Sequence, residues 1–339
     1  MEKLFKSLTQ LSASFLLAVL VATVVVLYLT AKPAIEQFGA YFIVDPRWGE
    51  EVPIETSLGT SSQSPEEKEK LADSASKTPL EEKSNAQEFV EIDEDIPMDD
   101  ELEEDEAEVQ TKTVYGGAVP IVGTIFSTAI ALLFAVPIAM GIAVFLSEIA
   151  HGKIAAPVGV AIELLAAIPS IIYGMWALFY FGPFISSIFG GHSVSLLVAG
   201  LVLGVMIIPF MAALSRDAIN TTPDVLKESA YAIGATKFEV VKDIIFPYAK
   251  AGIIGSIIIS LGRALGETMA VAFVIGGIFQ FTQSVTDPTN SIPVVLANNF
   301  AESSGLSMNA LFYLALILFI ISFIVIFTAK HYLLRRNKQ

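Results

Sequence analysis

The chain has 339 residues, of which 54% are hydrophobic and 16% are charged. Soluble domains are about 25% charged, so this composition excludes an ordinary soluble protein and indicates an integral membrane protein. The sequence has no cysteine, which excludes disulfide bonds and thiolate metal sites. No two of its three histidines have the spacing of helical ligands, so we expect no histidine-based metal site.

The net charge of −15 comes from one segment. Residues 33–113 hold 24 acidic and 6 basic residues, whereas the rest of the chain holds 11 acidic and 14 basic residues. The acidity therefore belongs to an insert and not to the membrane body. It argues against nucleic acid as a partner of that segment.

Six apolar spans are long enough to cross a bilayer core of roughly 30 Å, which needs about 20 helical residues. They lie at residues 11–31, 121–146, 158–181, 194–214, 251–278 and 311–329. We therefore predict an all-α integral membrane protein with six transmembrane helices. Pro137, Pro169 and Pro209 fall inside three spans, where neighbouring helices can satisfy the freed carbonyl groups.

Residues 1–32 are predicted to form an uncleaved signal-anchor helix. Lys3 and Lys6 precede the apolar run, as in a signal peptide, but the run exceeds the about 7–15 residues of a cleaved signal. A cleaved signal peptide is the alternative. The remainder divides into a loop at 33–120 and a five-helix core at 121–339.

Lysine and arginine set the orientation. They occur in both tails and in the loop 215–250, but not in the loops 182–193 and 279–310. The positive-inside rule then places both termini in the cytoplasm and the loop 33–120 outside. Within that loop the aromatic residues of 33–54 are expected to pack on the membrane body. The acidic stretch 55–112 is predicted to be a disordered tether; cation binding or docking to a basic partner is the alternative.

The cytoplasmic segment 222–247 is predicted to form two short helices around Gly234. Thr222, Pro223 and Asp224 favour a helix start, with a hydroxyl cap, a proline at the first helical position and an acid in the first turn. Pro247 ends the second helix. The segment is either a protrusion that docks a partner or an amphipathic linker on the membrane surface.

The fifth span carries charges that lipid does not tolerate. Arg263 and Glu267 are four residues apart and are predicted to share a helix face. Gly262 and Gly266 have the G-x-x-x-G spacing that lets a neighbouring helix approach. The charges form either an ion pair that fixes helix packing or a polar site on a transport path, where Arg263 binds an oxyanion through its planar fork. Glu267 then restrains Arg263, and Thr268 is a further candidate contact to substrate.

The cytoplasmic segment resembles the EAA motif of ABC importer permeases, the coupling helix that docks on the ATPase subunit. Ser229 and Phe246 replace the usual alanine and leucine but keep a small and an apolar side chain. The positions that carry the resemblance are Glu228, Ala230, Gly234, Ile244 and Pro247.

The run LGRALGETMAV at residues 261–271 resembles the signature of PstC-type permease subunits of the phosphate ABC importer family. Residues 115–124 and 166–174 are also similar to that family. The resemblance covers about 1–54 and 113–339, and the acidic stretch departs from the pattern.

The resemblance implies a type I ABC importer permease fold and half of a phosphate translocation path in a bacterial inner membrane. The implied partners are a PstA-type permease, an ATPase dimer, an extracytoplasmic phosphate-binding protein and phosphate. The sequence has no G-x-x-x-x-G-K-[ST] loop, so we expect a transporter subunit and not an enzyme, with ATP and Mg²⁺ on the ATPase.

Three alternatives remain. A sulfate or molybdate permease would share the docking motif but should lack the run at 261–271. A secondary transporter should work without an ATPase and usually shows inverted repeats. A phosphate-sensing membrane scaffold would need Arg263 for signalling and not for transport.

Overall fold

The computed structural model describes residues 2–53 and 111–335, and helices make up most of it. The α-helices are Glu2–Phe38 (α1), Ala118–Val144 (α2), Gly152–Ala166 (α3), Ser170–Trp176 (α4), Gly182–Phe189 (α5), Leu196–Asn220 (α6), Asp224–Ala232 (α7), Lys237–Glu239 (α8), Phe246–Leu265 (α9), Met269–Ala272 (α10), Ile292–Asn299 (α11) and Gly305–Arg335 (α12). A 3-10 helix covers Gly39–Ile43, and π-helical turns cover Phe145–Ile149, Ala177–Phe181 and Val240–Ile245.

Two strands, Trp48–Pro53 (β1) and Thr111–Tyr115 (β2), pair as a two-stranded sheet. Residues 51–113 form a unit of their own, of which only 51–53 and 111–113 are described. The stretch predicted to be a disordered tether, 55–112, lies outside the described residues except for Thr111 and Lys112, which open β2.

Six helical segments of the described chain are long and apolar enough to cross a membrane, which confirms the predicted number. They are Leu4–Ile43, Ala118–Ile149, Ser170–Phe189, Leu196–Asn220, Lys237–Leu265 and Gly305–His331. We call them spans one to six.

Spans three and five are displaced from their predicted bounds. Span three begins at Ser170 and not at residue 158, because α3 ends at Ala166 and Pro169 restricts the residue before it to extended backbone. Span five ends at Leu265 and not at residue 278, because Gly266 caps α9. It also continues through Pro247, since the π-helical turn before the proline replaces the α-turn whose hydrogen bond proline cannot donate.

The central packing contact joins α2 to α6 through small residues. A side chain at Gly200 would approach Cβ of Ile130 to 2.7 Å, and one at Gly204 would approach Phe134 Cδ1 to 2.9 Å. The helices therefore need glycine at both positions, whose G-x-x-x-G spacing is typical of close membrane helix pairs. The sequence GLVLG at 200–204 carries this signal, which we had assigned only to Gly262 and Gly266.

A second packing cluster joins α1 to α12 and anchors the 3-10 helix. Phe42 is 1% exposed, and its ring centroid lies 4.5 Å from that of Tyr313. Trp48 stacks on Phe279 at 5.5 Å. These contacts confirm that aromatic residues of 33–54 pack on the membrane body, although Tyr41 remains 65% exposed.

Candidate coupling segment and membrane polar site

The segment 222–247 turns at Gly234, as predicted, and a short helix precedes the turn. The prediction that Pro247 ends a second short helix is wrong, because α8 and the π-helical turn Val240–Ile245 continue directly into α9. Helix α7 ends at Ala232, and Gly234 turns the chain with a φ of +91°, which L side chains rarely adopt. A capping box between Thr236 and Glu239 starts α8. The predicted Thr222 cap is wrong, because Pro223 is the extended residue before α7 and the Thr222 hydroxyl is buried without a partner.

The five EAA-like positions divide into an inner and an outer set. Ala230 is 7% exposed and packs in a cluster with Val240 and Ile245. Glu228, Gly234 and Pro247 are exposed, and Ile244 is half-buried. Ala230 therefore attaches the segment to the membrane body, and the other positions remain available to a partner.

The segment also presents apolar side chains to its surroundings. Val225, Ile233 and Phe238 are 70%, 88% and 73% exposed. A cavity of about 400 Å³ lies between the two short helices and is lined by Ala230, Ile233, Gly234, Ala235, Glu239, Val240, Asp243 and Ile244. Exposed apolar groups beside a cavity are typical of a surface that binds another protein.

Arg263 lies in the last turn of α9, beside the middle of span four. Its guanidinium carbon is 5.7 Å from the ring centroid of Phe210, which lies near the middle of Leu196–Asn220. The Arg263 side chain is exposed in the isolated chain. Within the described residues no carboxylate lies within ion-pair distance of it.

The predicted Arg263–Glu267 helix face does not form. Helix α9 ends at Leu265, so Glu267 lies beyond its last turn. The Glu267 carboxylate instead accepts a hydrogen bond from the Ala270 amide at 3.2 Å, and the Thr268 hydroxyl donates to the Gly266 carbonyl at 3.5 Å. Glu267 thus organises the chain after the helix and leaves the Arg263 charge uncompensated.

Among the described residues, Gly262 and Gly266 do not bring a second helix into close approach. A side chain at Gly262 would make an ordinary 3.5 Å contact with Ile326, and one at Gly266 would meet only the Gly262 carbonyl at 3.8 Å. The role of Gly266 here is to end α9. A helix that stops at membrane depth is tolerated where the freed backbone is buried in protein or faces a water-filled cavity.

Two segments that resemble the PstC-type family meet beside the end of α9. A side chain at Gly174, on α4, would approach Phe273 Cδ2 to 2.8 Å and the Ala270 backbone to 3.0 Å. Gly174 therefore lets α4 pack directly on α10. The runs 166–174 and 261–271, which are apart in sequence, build one region around the end of α9.

Glu163, on α3, and Glu148, at the end of span two, each pair with a cation on another helix. Arg216 donates to Glu163 at 3.0 Å and also to Asp217 at 3.2 Å. Lys227 donates to Glu148 at 2.7 Å. No local sequence pattern indicates the second pair, because 79 residues separate its members.

The comparisons with known proteins agree with this architecture. The chain is 47% identical over 245 residues to "Phosphate transport system permease protein PstC" of Pasteurella multocida, covering 66% of this chain and 77% of the relative. It is 42% identical over 242 residues to the protein of the same name from Mesorhizobium japonicum, covering 65% and 74%. The solved inward-facing MetNI methionine ABC transporter matches its fold with a TM-score of 0.51 at 23% identity, covering 64% of this chain and 94% of that chain.

These likenesses show the type I ABC importer permease fold in a multi-pass inner membrane protein. The family described as "Binding-protein-dependent transport system inner membrane component" matches residues 118–339, which is more than half of the chain. The protein therefore belongs to the family of binding-protein-dependent transport system inner membrane components.

Proposed function

We propose that the protein is the transmembrane permease subunit of an ATP-driven inorganic phosphate importer and forms half of its translocation path. The observation that carries the proposal is the uncompensated Arg263 beside the break in span five. An unpaired charge at membrane depth costs at least about 2.5–3.5 kcal/mol, so Arg263 must face water, substrate or a partner. The names of the PstC relatives support phosphate as that substrate.

The chemistry of the site suits a tetrahedral oxyanion. A guanidinium presents a planar fork of donors that matches two oxygens of a phosphate. Glu267 would repel phosphate, but its carboxylate is held by the Ala270 amide and does not cancel the charge of Arg263. Thr268 lies three residues beyond the end of α9 and offers a hydroxyl to the same path.

The energy source belongs to partner subunits. We infer that an ATPase dimer, which holds ATP and Mg²⁺, docks on the exposed positions Glu228, Gly234 and Pro247 and on the half-buried Ile244. The exposed apolar side chains of 222–247 and the adjacent cavity support this surface. A PstA-type permease completes the path, and an extracytoplasmic phosphate-binding protein delivers the anion. This arrangement places both termini in the cytoplasm.

Reconstitution with these partners in vesicles tests the proposal. We expect ATP-dependent phosphate uptake by the wild type and a loss of at least about tenfold in Arg263→Gln, because a charge-assisted hydrogen bond is removed. Arg263→Lys keeps the charge but loses the planar fork of donors, so its phosphate uptake should lie between those of the wild type and Arg263→Gln. Lys32→Gln is the matched control, since Lys32 is an exposed cation whose pair lies within α1.

Competing anions identify the cargo. Excess sulfate or molybdate should leave phosphate uptake unchanged. Uptake of sulfate in place of phosphate would contradict the cargo assignment. Unchanged phosphate uptake in Arg263→Gln would contradict the role of Arg263 in the path, and uptake without ATP hydrolysis would indicate a secondary transporter.

A further inference from the structure

A shielded ion pair joins the cytoplasmic segment to span two. Lys227, on α7, lies 2.7 Å from Glu148, which belongs to the π-helical turn at the end of span two. The two side chains are only 16% and 8% exposed. The second acid near Lys227, Asp224, is 3.7 Å away and 87% exposed, so Glu148 is the principal partner.

Helix α7 has few other attachments. Ala230 is its only buried residue, and it packs with Val240 and Ile245 of the π-helical turn within span five. Lys227 and Ala230 are three residues apart, so they lie on one face of the helix. Through that face α7 is attached to span five by an apolar contact and to span two by an ion pair.

The chemistry of the pair makes it a firm connection. Exposed ion pairs contribute little, because water solvates the separated charges. Separating a shielded pair, or removing one partner, leaves an uncompensated charge out of water, which is strongly unfavourable. A displacement of α7 is therefore opposed unless Glu148 and the end of span two follow it.

We propose that the Glu148–Lys227 pair is a positioning device that transmits displacement of α7 to span two, in parallel with the Ala230 contact to span five. This inference rests on the proposed function, in which an ATPase moves α7. It predicts that loss of the pair separates ATP hydrolysis from transport, because span five still receives the displacement while span two does not.

The test measures ATP hydrolysed per phosphate imported by the complete complex in vesicles. We expect Glu148→Gln and Lys227→Met to raise this ratio at least about threefold, as is typical of contacting residues that act together. The exchange Glu148→Lys with Lys227→Glu restores the attraction and should bring the ratio back towards the wild-type value. Glu163→Gln is the matched control, because Glu163 also pairs with a cation on another helix, but that cation, Arg216, lies on α6 and not on α7.

A distance measurement provides a readout that needs no transport. The chain has no cysteine, so spin labels at Val225→Cys and Ile149→Cys report only the separation of α7 from the end of span two. When the pair is intact, we expect the distance between the two labels to be the same with and without ATP. With Glu148→Gln, we expect this distance to change or its distribution to broaden when ATP is added. If a single variant assembles poorly, the same two labels are placed in the variant with the exchanged charges, and the separation is measured there.

The outcomes separate the two proposals. Absence of phosphate uptake by the wild-type complex overturns the proposed function. Normal wild-type uptake with an unchanged ATP-to-phosphate ratio in both single variants overturns the pair's role. So does an exchanged pair that assembles and binds the ATPase but stays uncoupled, or a label separation that changes with ATP in the wild type.

Discussion

Arg47 and Arg263 differ in what surrounds their charge. Arg47, outside the spans, donates to both carboxylate oxygens of Asp45, at 3.0 and 2.7 Å. Asp45 is 1% exposed, and its carbonyl also accepts from the first amide of α2. Arg263 has no such carboxylate. One arginine is thus part of the structure, and the other is available for function.

The Asp45–Arg47 pair should stabilise the outer end of α2. The hydrogen bond from Arg47 lowers the pKa of Asp45, so its contribution is complete above the unfolded value of about 3.9 and is lost as pH falls through the lower folded value. We expect Arg47→Gln to destabilise the protein by about 2 kcal/mol at neutral pH, because a buried carboxylate loses its partner.

Thermal unfolding in detergent between pH 7 and pH 3 measures this effect. The difference between Arg47→Gln and the wild type should shrink towards the acidic end. Glu36→Gln is the control, because its bridge to Lys32 is exposed on both sides and should contribute less than about 1 kcal/mol. A difference that does not depend on pH would contradict the assignment.

At the scale of elements, the turn at Gly234 connects the two helices of the coupling segment. Its φ is +91°, and a side chain there would meet no atom within 4 Å. The cost of a substitution is therefore backbone strain, about 1–2 kcal/mol, and not a clash. Strain at this position tilts α7 relative to α8 and so alters the surface offered to the ATPase.

Gly234→Ala should lower ATP-driven uptake several-fold without reducing the amount of folded membrane protein. Gly190→Ala is the matched control, because Gly190 has a φ of +74° and equally open surroundings but lies in the loop predicted outside the membrane. Uptake rates and co-purification of the ATPase measure the effect. Equal losses in both variants would mean that strain alone, and not docking, is responsible.

The sequence predicts the number of membrane spans better than the residues at which their helices begin and end. Hydropathy places six spans because each needs only a long apolar run. It places span five about 13 residues too far along the chain, because the apolar residues after Gly266 continue beyond the helix end. Pro169 indicates a helix boundary, because proline restricts the residue before it to extended backbone. Tertiary packing decides the Glu148–Lys227 pair, which no local pattern indicates, whereas the G-x-x-x-G spacing of Gly200 and Gly204 is visible in the sequence.

At the scale of the whole molecule, the chain is incomplete as a transport path. Arg263 is exposed, and apolar side chains of α3 such as Leu164, at 66%, have no partner among the described residues. A neutral helix face can be covered by lipid, but an unpaired arginine within a membrane span cannot. The isolated subunit therefore supports the proposal of a second permease subunit that completes the polar path.

The acidic insert gives the last prediction. Residues 55–110 hold 20 acidic and 4 basic residues, a net charge of −16, and are predicted to lie on the side from which an anion enters. Charges more than about 8 Å from the path are screened at physiological salt, so replacing 55–110 by an uncharged Gly-Ser segment of equal length should leave uptake unchanged at 150 mM salt. At low salt the replacement should raise uptake, because repulsion of phosphate is removed.

Phosphate uptake at both salt concentrations, with a charge-preserving shuffle of 55–110 as control, measures this. Loss of uptake at high salt would instead indicate that the insert binds a partner.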